Sequence, residues 1–316
     1  MFGVGGRIAP YTFYIERIVS MNNKTSKKFS STLQFFAYTA PAIIAITIFV
    51  TIPFLTTVNY SFRSWNGIDK TTTFIGLKNY IRLFTDDRAF IQSLIFTFVY
   101  AFFVVIFVNV LALLFAQLLE AKIWGKGVFR TAFYLPNIIS LVVIGFIWKF
   151  IFTRVFDQLA TVSKIGFFEL SWLGDPKLAI ATVIFVSVWQ SLGFYMVIYI
   201  AGLQSVPEDI GEAAMIDGAN AFTKFFRITL PMIMPSISFC MFYSVANSMK
   251  MFDLIFSLTG GGPGGATTPM SLEIYNTAFG KQMMGYGTAK SVILFIIVAA
   301  ISIIQINFFK SKEVES

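Results

Sequence analysis

Six apolar runs, each long enough to cross a bilayer, constrain this chain more than any other feature. They cover about 33–58, 90–119, 128–152, 178–203, 232–258 and 286–309. A helix rises ~1.5 Å per residue, so ~20 apolar residues span the hydrocarbon, and each run supplies them. Inside lipid every backbone N–H and C=O must find a partner within the protein, which leaves helices or a closed barrel. The runs show no period-2 alternation of barrel type. The expectation is therefore an all-α polytopic membrane protein with six transmembrane helices. Pro41, Pro53 and Pro136 fall inside the runs. Membrane helices tolerate proline when neighbours satisfy the freed carbonyls.

Composition closes off other classes. The chain is 56% hydrophobic and 13% charged, against roughly 25% charged in soluble domains. Its one cysteine, Cys240, lies in an apolar run and has no second cysteine to bridge, and there is no histidine. Zinc sites and histidine-based catalysis therefore lack ligands, and no catalytic or metal site is expected. The net charge is +8, but no basic cluster with interleaved aromatics accompanies it. The Lys and Arg residues read as membrane flanks, and no nucleic-acid partner is expected.

Residues 1–32 are basic, with Arg7, Arg17, Lys24, Lys27 and Lys28 against Glu16. No apolar core of a cleaved signal precedes Lys28. Met21 opens a stretch that reads as a natural start, so residues 1–20 read as an upstream extension of little functional weight. The predicted division is an N-terminal segment at 1–32, a six-span domain at 33–309 and a C-terminal tail at 310–316. With six spans both termini share a side. That side carries twelve Lys and Arg against ten on the other, so the positive-inside rule alone favours cytoplasmic termini only slightly.

One stretch between the spans is too polar to cross: Ser205–Pro235, SVPEDIGEAAMIDGANAFTKFFRITLPMIMP. Ser205 and Glu208 have capping-box spacing, which predicts a helix start. Ile210, Ala213, Ala214 and Asp217 would share one face. Gly218 predicts the stop, because glycine accepts the left-handed conformation. Asn220 can cap a second short helix with an apolar stripe at Phe222, Phe225, Phe226 and Thr229. Pro231 ends that helix or bends it into the next span. Such a helical pair either docks in a groove of another protein or lies in the membrane interface.

Elsewhere, Trp65-Asn66-Gly67 is a turn signal, FIGLKNYIRLF predicts a short amphipathic helix, and Trp172-Leu173-Gly174-Asp175-Pro176 marks another turn. The glycine-rich run Leu258–Thr268 lacks the GK[ST] and preceding strand of a phosphate loop. Polar residues inside spans are costly in lipid and usually face a cavity or a partner. Ser187, Gln190, Ser191 and Phe194 share one face of the fourth span, and Ser244, Asn247, Ser248 and Met251 one face of the fifth. Both sets flank the polar stretch. They either line a path or join helices. Lys250 and Asp253, three apart, are placed to pair on one face of the fifth span, a structural pairing rather than a proton relay.

The run Glu212-Ala213-Ala214, Asp217-Gly218-Ala219, Phe225, Ile228, Leu230-Pro231 and Pro235 resembles the EAA loop of bacterial ABC importer permeases. The FIGLKNY stretch, the third span from Phe129-Arg130 through Leu135-Pro136 to Trp148, Thr259-Gly260-Gly261-Gly262-Pro263, Tyr275, Ala278 and Phe279 resemble the oligosaccharide-importer branch, first-permease type. The resemblance covers roughly 33–309. It implies that 205–231 is a cytoplasmic coupling loop seated in an ATPase cleft through Glu212, Ala213, Ala214, Asp217, Gly218, Ala219, Phe225, Leu230 and Pro231. It implies that the eight polar-face residues line a sugar path, and that the glycine-rich loop lies outside, near a docking surface for a solute-binding protein. The implied partners are a sister permease, two cytoplasmic ATPase subunits, the external solute-binding protein, a di- or oligosaccharide and membrane lipid. ATP and Mg would be used by the ATPase and not by this chain, which has no ATP-binding motif and binds no cofactor. The implied location is the bacterial or archaeal cytoplasmic membrane. An ion-coupled secondary transporter, which would need coupling-ion ligands at the midplane, or a non-transporting scaffold are the alternative readings.

Overall fold

The computed structural model describes residues 35–120 and 125–310. The N-terminal segment 1–32, Lys122 and residues 311–316 of the tail lie outside the described residues. The chain divides into two compact units, Met1–Asn59 and Tyr60–Ser316.

In the first unit the described chain is an apolar helix, the opening of α1 (Phe35–Ser61), whose last residues enter the second unit. Its hydroxyls do not stay open to lipid. Thr39 and Thr47 donate to the carbonyls of Phe35 and Ile43, each at 2.8 Å. A widened π turn at Thr47–Thr51 lies just before Pro53, whose ring clashes with an α-helical carbonyl four residues back.

In the second unit a two-residue hairpin, β1 (Arg63–Ser64) and β2 (Thr73–Phe74), pairs Arg63 with Phe74. Its turn is the expected one. Asn66 Oδ1 accepts the N–H groups of Ile68 and Asp69, each at 3.0 Å, and Gly67 takes φ +90°. The helices that follow are α2 (Lys78–Thr85), α3 (Arg88–Glu120), α4 (Lys126–Ile138), α5 (Leu141–Ser163), α6 (Pro176–Gln204) and α7 (Glu208–Ile216). Next come α8 (Ala221–Met232), α9 (Met234–Met249), α10 (Asp253–Leu258), α11 (Met270–Tyr275) and α12 (Met284–Lys310). Asp175 caps α6, accepting the N–H groups of Lys177 and Leu178 at 2.9 and 3.0 Å. The protein is an all-helical polytopic membrane protein. Among the described residues four helices are long and apolar enough to cross a membrane, or six if each of two bent pairs is one span.

Those bent pairs correct two expected spans. The run 128–152 is not one straight helix, because α4 and α5 meet at 97°. Pro136 lacks an N–H to donate, and the chain turns extended at Ile139 and Ser140, with ψ 139° and 134°. The run 232–258 is helical only in pieces. It enters through a 70° bend between α8 and α9, and α9 stops at Met249 before α10 resumes at Asp253. The Ser271 hydroxyl donates to the Met251 carbonyl that this break frees. The break also overturns the expected Lys250–Asp253 pair. The two residues no longer share a helix, and the ion pairs formed among the described residues do not include them.

The core is a ridge on α3. Tyr100, Val104, Val108, Ala112 and Ala116 recur every four residues, all buried, against Val183, Met196 and Tyr199 of α6. Gly193 lets α4 approach α6 closely, since a Cβ there would stand 2.1 Å from the Phe133 carbonyl oxygen. Polar atoms within this core are partnered across helices. Tyr199 donates to Asn109 Oδ1 at 2.7 Å, and Asn109 Nδ2 donates to Ser244 Oγ at 3.0 Å.

A second cluster joins the hairpin, α2 and α12. Asn79 Nδ2 donates to the carbonyls of Ser61, Arg63 and Gly285 at 2.8, 3.1 and 3.3 Å. Tyr80 and Ser61 share a 2.6 Å hydroxyl bond. The predicted amphipathic helix forms only from Lys78 onward, since Phe74 of FIGLKNYIRLF is in β2, and the Asn79-Tyr80 step ties three segments together.

Candidate functional site

The polar stretch forms two helices, with one correction at its start. α7 begins at Glu208, and Pro207 holds the extended N-cap position without a side-chain cap. The capping box is not made, because Ser205 closes the previous helix instead, its hydroxyl donating to the Gly202 carbonyl at 2.7 Å. Pro207 explains this, since the residue before a proline is pushed out of the helical region. The stop is as expected. Gly218 has φ +86°, Ala219 N–H reaches the Ala214 carbonyl at 2.9 Å and Gly218 N–H the Met215 carbonyl at 3.1 Å. This bond pair is a Schellman motif. Asn220 Oδ1 caps α8 through the Thr223 N–H at 2.8 Å. The expected single face of α7 divides: Ala214 is buried, while Ile210, Ala213 and Asp217 are exposed. Gly211 is buried beside it, and a Cβ there would stand 2.5 Å from Lys224 Nζ. The stripe on α8 is interrupted by a π turn at Phe225–Thr229, though the Phe222 and Phe226 rings still meet, tilted, at 4.4 Å. The bend into α9 falls at Ile233, between Pro231 and Pro235.

The residues assigned to ATPase coupling therefore divide in two. Glu212, Ala213, Asp217 and Gly218 are exposed, whereas Ala219, Phe225, Leu230 and Pro231 are half-buried. Around the exposed group lies unpartnered apolar surface, with Ile216 86% exposed and Phe222 70%. Exposed apolar surface of this kind marks a protein-contacting or a membrane-contacting face.

The second site is a cavity of about 380 Å³ between α3, α4, α5, α6 and α9. Seven of the eight polar-face residues meet in it. Ser187, Gln190, Ser191 and Phe194 come from α6, Asn247 and Ser248 from α9, and Met251 from the break. Ser244 does not line it; it is buried, with its hydroxyl bonded to Asn109 and to the Met241 carbonyl. For Ser244 the helix-joining role prevails. The Ser187 hydroxyl is also engaged, accepting from Tyr100 at 2.9 Å and donating to the Val183 carbonyl at 2.7 Å. Aromatic rings form much of the wall, with Phe194 5.1 Å from Tyr243 and 5.3 Å from Tyr195.

Several lining residues escaped the sequence reading. Tyr100 belongs to the α3 ridge, and periodicity marks it only as core. Asn137 follows Pro136 at the end of α4, and a polar residue after a mid-span proline is a usable signal. Lys250 and Asp253 line the cavity beside Met251 and Phe252, because the helix break turns them toward it.

A third polar centre was also missed. Lys290, fully buried in α12, is bonded at 2.8 Å to Asp87 Oδ2 and at 2.8 Å to Glu273 Oε1. It also donates to Thr277 Oγ1 at 2.9 Å, and Tyr286 donates to Asp87 Oδ2 at 2.8 Å. Burial pushes the Asp87 carboxyl upward, but the bonds from Lys290, the Phe90 N–H and Tyr286 outweigh it and leave it below the usual carboxylate value. The glycine-rich loop leads into α11, which carries Glu273. Its hydroxyls close on themselves, Thr259 to Thr267 at 2.8 Å and Thr268 to the Gly261 carbonyl at 3.1 Å. Among the described residues no group of three or more His, Cys, Asp or Glu is placed to hold a metal.

Comparison with known proteins places this geometry. Residues 109–311 match the family described as "Binding-protein-dependent transport system inner membrane component". The chain is 41% identical over 292 residues to the "Probable starch degradation products transport system permease protein AmyD" of Thermoanaerobacterium thermosulfurigenes, covering 92% of this chain and 99% of that protein. It is 36% identical over 274 residues to the "Multiple sugar-binding transport system permease protein MsmF" of Streptococcus mutans, covering 87% and 94%. Its fold matches a chain of a bacterial ABC transporter involved in the import of the acidic polysaccharide alginate, with a TM-score of 0.76 at 21% identity over 91% of this chain and 99% of that one. The chain belongs to the family of binding-protein-dependent transport system inner-membrane components, as a multi-pass, non-catalytic permease subunit of an ABC importer.

Proposed function

We propose that this permease carries a sugar, a di- or oligosaccharide, delivered by an external solute-binding protein. The observation that carries the reading is the cavity, where amides and hydroxyls alternate with aromatic faces. Amides donate and accept toward sugar hydroxyls, and rings pack against the apolar C–H faces of pyranoses. The names of the relatives, one for starch degradation products and one for multiple sugars, point to the same cargo. One chain supplies one wall, so a sister permease completes the path. The α7–α8 elbow, with Glu212, Asp217 and Gly218 outward, seats in a cytoplasmic ATPase, and both termini lie on that side. ATP closing the ATPase pair draws the two elbows together and rocks the permeases between inward-facing and outward-facing states. Because an importer must release its cargo, individual contacts in the cavity are few and weak.

The decisive experiment is uptake by the assembled transporter in vesicles, with its binding protein, against a panel of neutral and charged sugars. Asn247→Trp fills the cavity and should abolish uptake while the ATPase still copurifies. Uptake at the wild-type rate would remove Asn247 from the path. Orientation is read separately with an impermeant thiol reagent on intact cells. Cysteines at Asn66 and Ala266 should react, and one at Asn220 should react only after the membrane is opened.

A further inference from the structure

Lys250 and Asp253 are the charged groups of the cavity wall; every other lining residue is uncharged. They sit on either side of the α9–α10 break, both exposed, and neither has an ion-pair or hydrogen-bond partner for its side chain among the described residues. This is unusual chemistry for the interior of a membrane domain. Ionisable groups there are expensive and ordinarily pair, and three residues of helix would have brought these two together. The break prevents that. It is a built feature, since the Ser271 hydroxyl from α11 satisfies the Met251 carbonyl inside it. Irregular backbone at membrane depth is tolerated where it lines a water-filled cavity.

Resting on the sugar-path reading above, we propose that Lys250 and Asp253 are cargo-contacting groups that select sugars of zero net charge. The ammonium offers three donors and the carboxylate only acceptors. A neutral polyol satisfies both at once, one hydroxyl accepting from Lys250 and another donating to Asp253, and leaves the cavity charge balanced. A uronate satisfies Lys250 but brings a second carboxylate beside Asp253. An amino sugar meets Lys250 with the mirror conflict. Selectivity of this kind rests on repulsion as much as attraction. Asn247, one helical turn before the break, fixes the hydroxyl pattern but carries no charge to enforce this rule.

The test uses the assembled transporter in vesicles, with Cys240→Ala and a reporter cysteine in Asn247→Cys. Two thiol reagents of similar size probe it, one bearing a trimethylammonium and one a sulfonate. The ratio of their rates reads the local charge. Lys250→Gln should shift the ratio about tenfold toward the cationic reagent, and Asp253→Asn about tenfold toward the anionic one, the size expected for a charge within a Debye length of the thiol. With native Asn247, each variant should lower uptake of neutral sugar at saturating binding protein about tenfold, the loss of one charge-assisted hydrogen bond. Unchanged ratios and unchanged uptake in both variants would overturn the proposal. So would loss of assembly in both single variants with rescue by the exchanged pair Lys250→Asp with Asp253→Lys, which would mark them as a structural ion pair. The path reading fails separately, through wild-type uptake by Asn247→Trp. If that variant blocks uptake and the charge variants change nothing, only the present proposal falls.

Discussion

Two sets of charges lie within this membrane domain, and they are built on opposite principles. At Lys290 a buried ammonium is enclosed by two carboxylates and a hydroxyl within 2.8–2.9 Å. At the cavity wall Lys250 and Asp253 lie near each other in sequence and are left open. The first set joins the start of α3, α11 and α12. With Lys281 3.6 Å from Glu273 as a second cation, its charges compensate one another, so it fastens the helices and offers nothing to a cargo. The second leaves its hydrogen-bonding capacity unspent. In a chain with so few charges, what separates a fastener from a site is whether the charges are already satisfied.

The largest expected effect comes from opening the closed set. Lys290→Met leaves half-buried Asp87 without its cation and buried Glu273 with only Lys281, at 3.6 Å, and should cost about 3 kcal/mol, the lower end of the scale for removing one partner of a buried pair. Thermal unfolding of the purified complex reads this loss directly. A shift within error of the wild type would show that water already reaches the cluster.

Next in size is acid sensitivity. The Asp87 carboxyl is held below its ordinary value of 3.8. A carboxylate lowered in the folded state contributes stability that is complete above about pH 4 and is lost as pH falls through the lowered value. Asp87→Asn should therefore flatten the acid limb of a stability profile taken from about pH 5 to pH 3. An equally steep limb in that variant would assign the acid response to other groups.

The smallest effect should come from the open set. Lys250→Met removes a charge with no partner, so stability should move by no more than about 0.5 kcal/mol, as for a surface substitution. Uptake should still fall. A loss of several kcal/mol at Lys250 would erase the contrast between the two regions.

What the residues alone determined is whatever depends on local chemistry. Apolar length sets the helical class, because lipid leaves the backbone no other partners. Gly218 and Asn220 end and begin helices through bonds reaching only a few residues, so the elbow was legible from spacing. The face Ser187–Phe194 was legible for the same reason, since a helix places i, i+3, i+4 and i+7 together; of the face expected from Ser244 to Met251, spacing on α9 accounts for Asn247 and Ser248, whereas Met251 reaches the cavity from beyond the helix end. Tertiary structure decided the rest. Ser205 lost its cap role to the end of the preceding helix and to Pro207. Ser244 was drawn into a bond with Asn109, 135 residues away in sequence. Lys290 found Asp87 and Glu273 only through the packing of three helices. Lys250 and Asp253 were kept apart by a break whose free carbonyl is held by Ser271 from another helix. A helical pattern reports which side chains share a face; only packing determines where the face is interrupted and which polar groups are already spent.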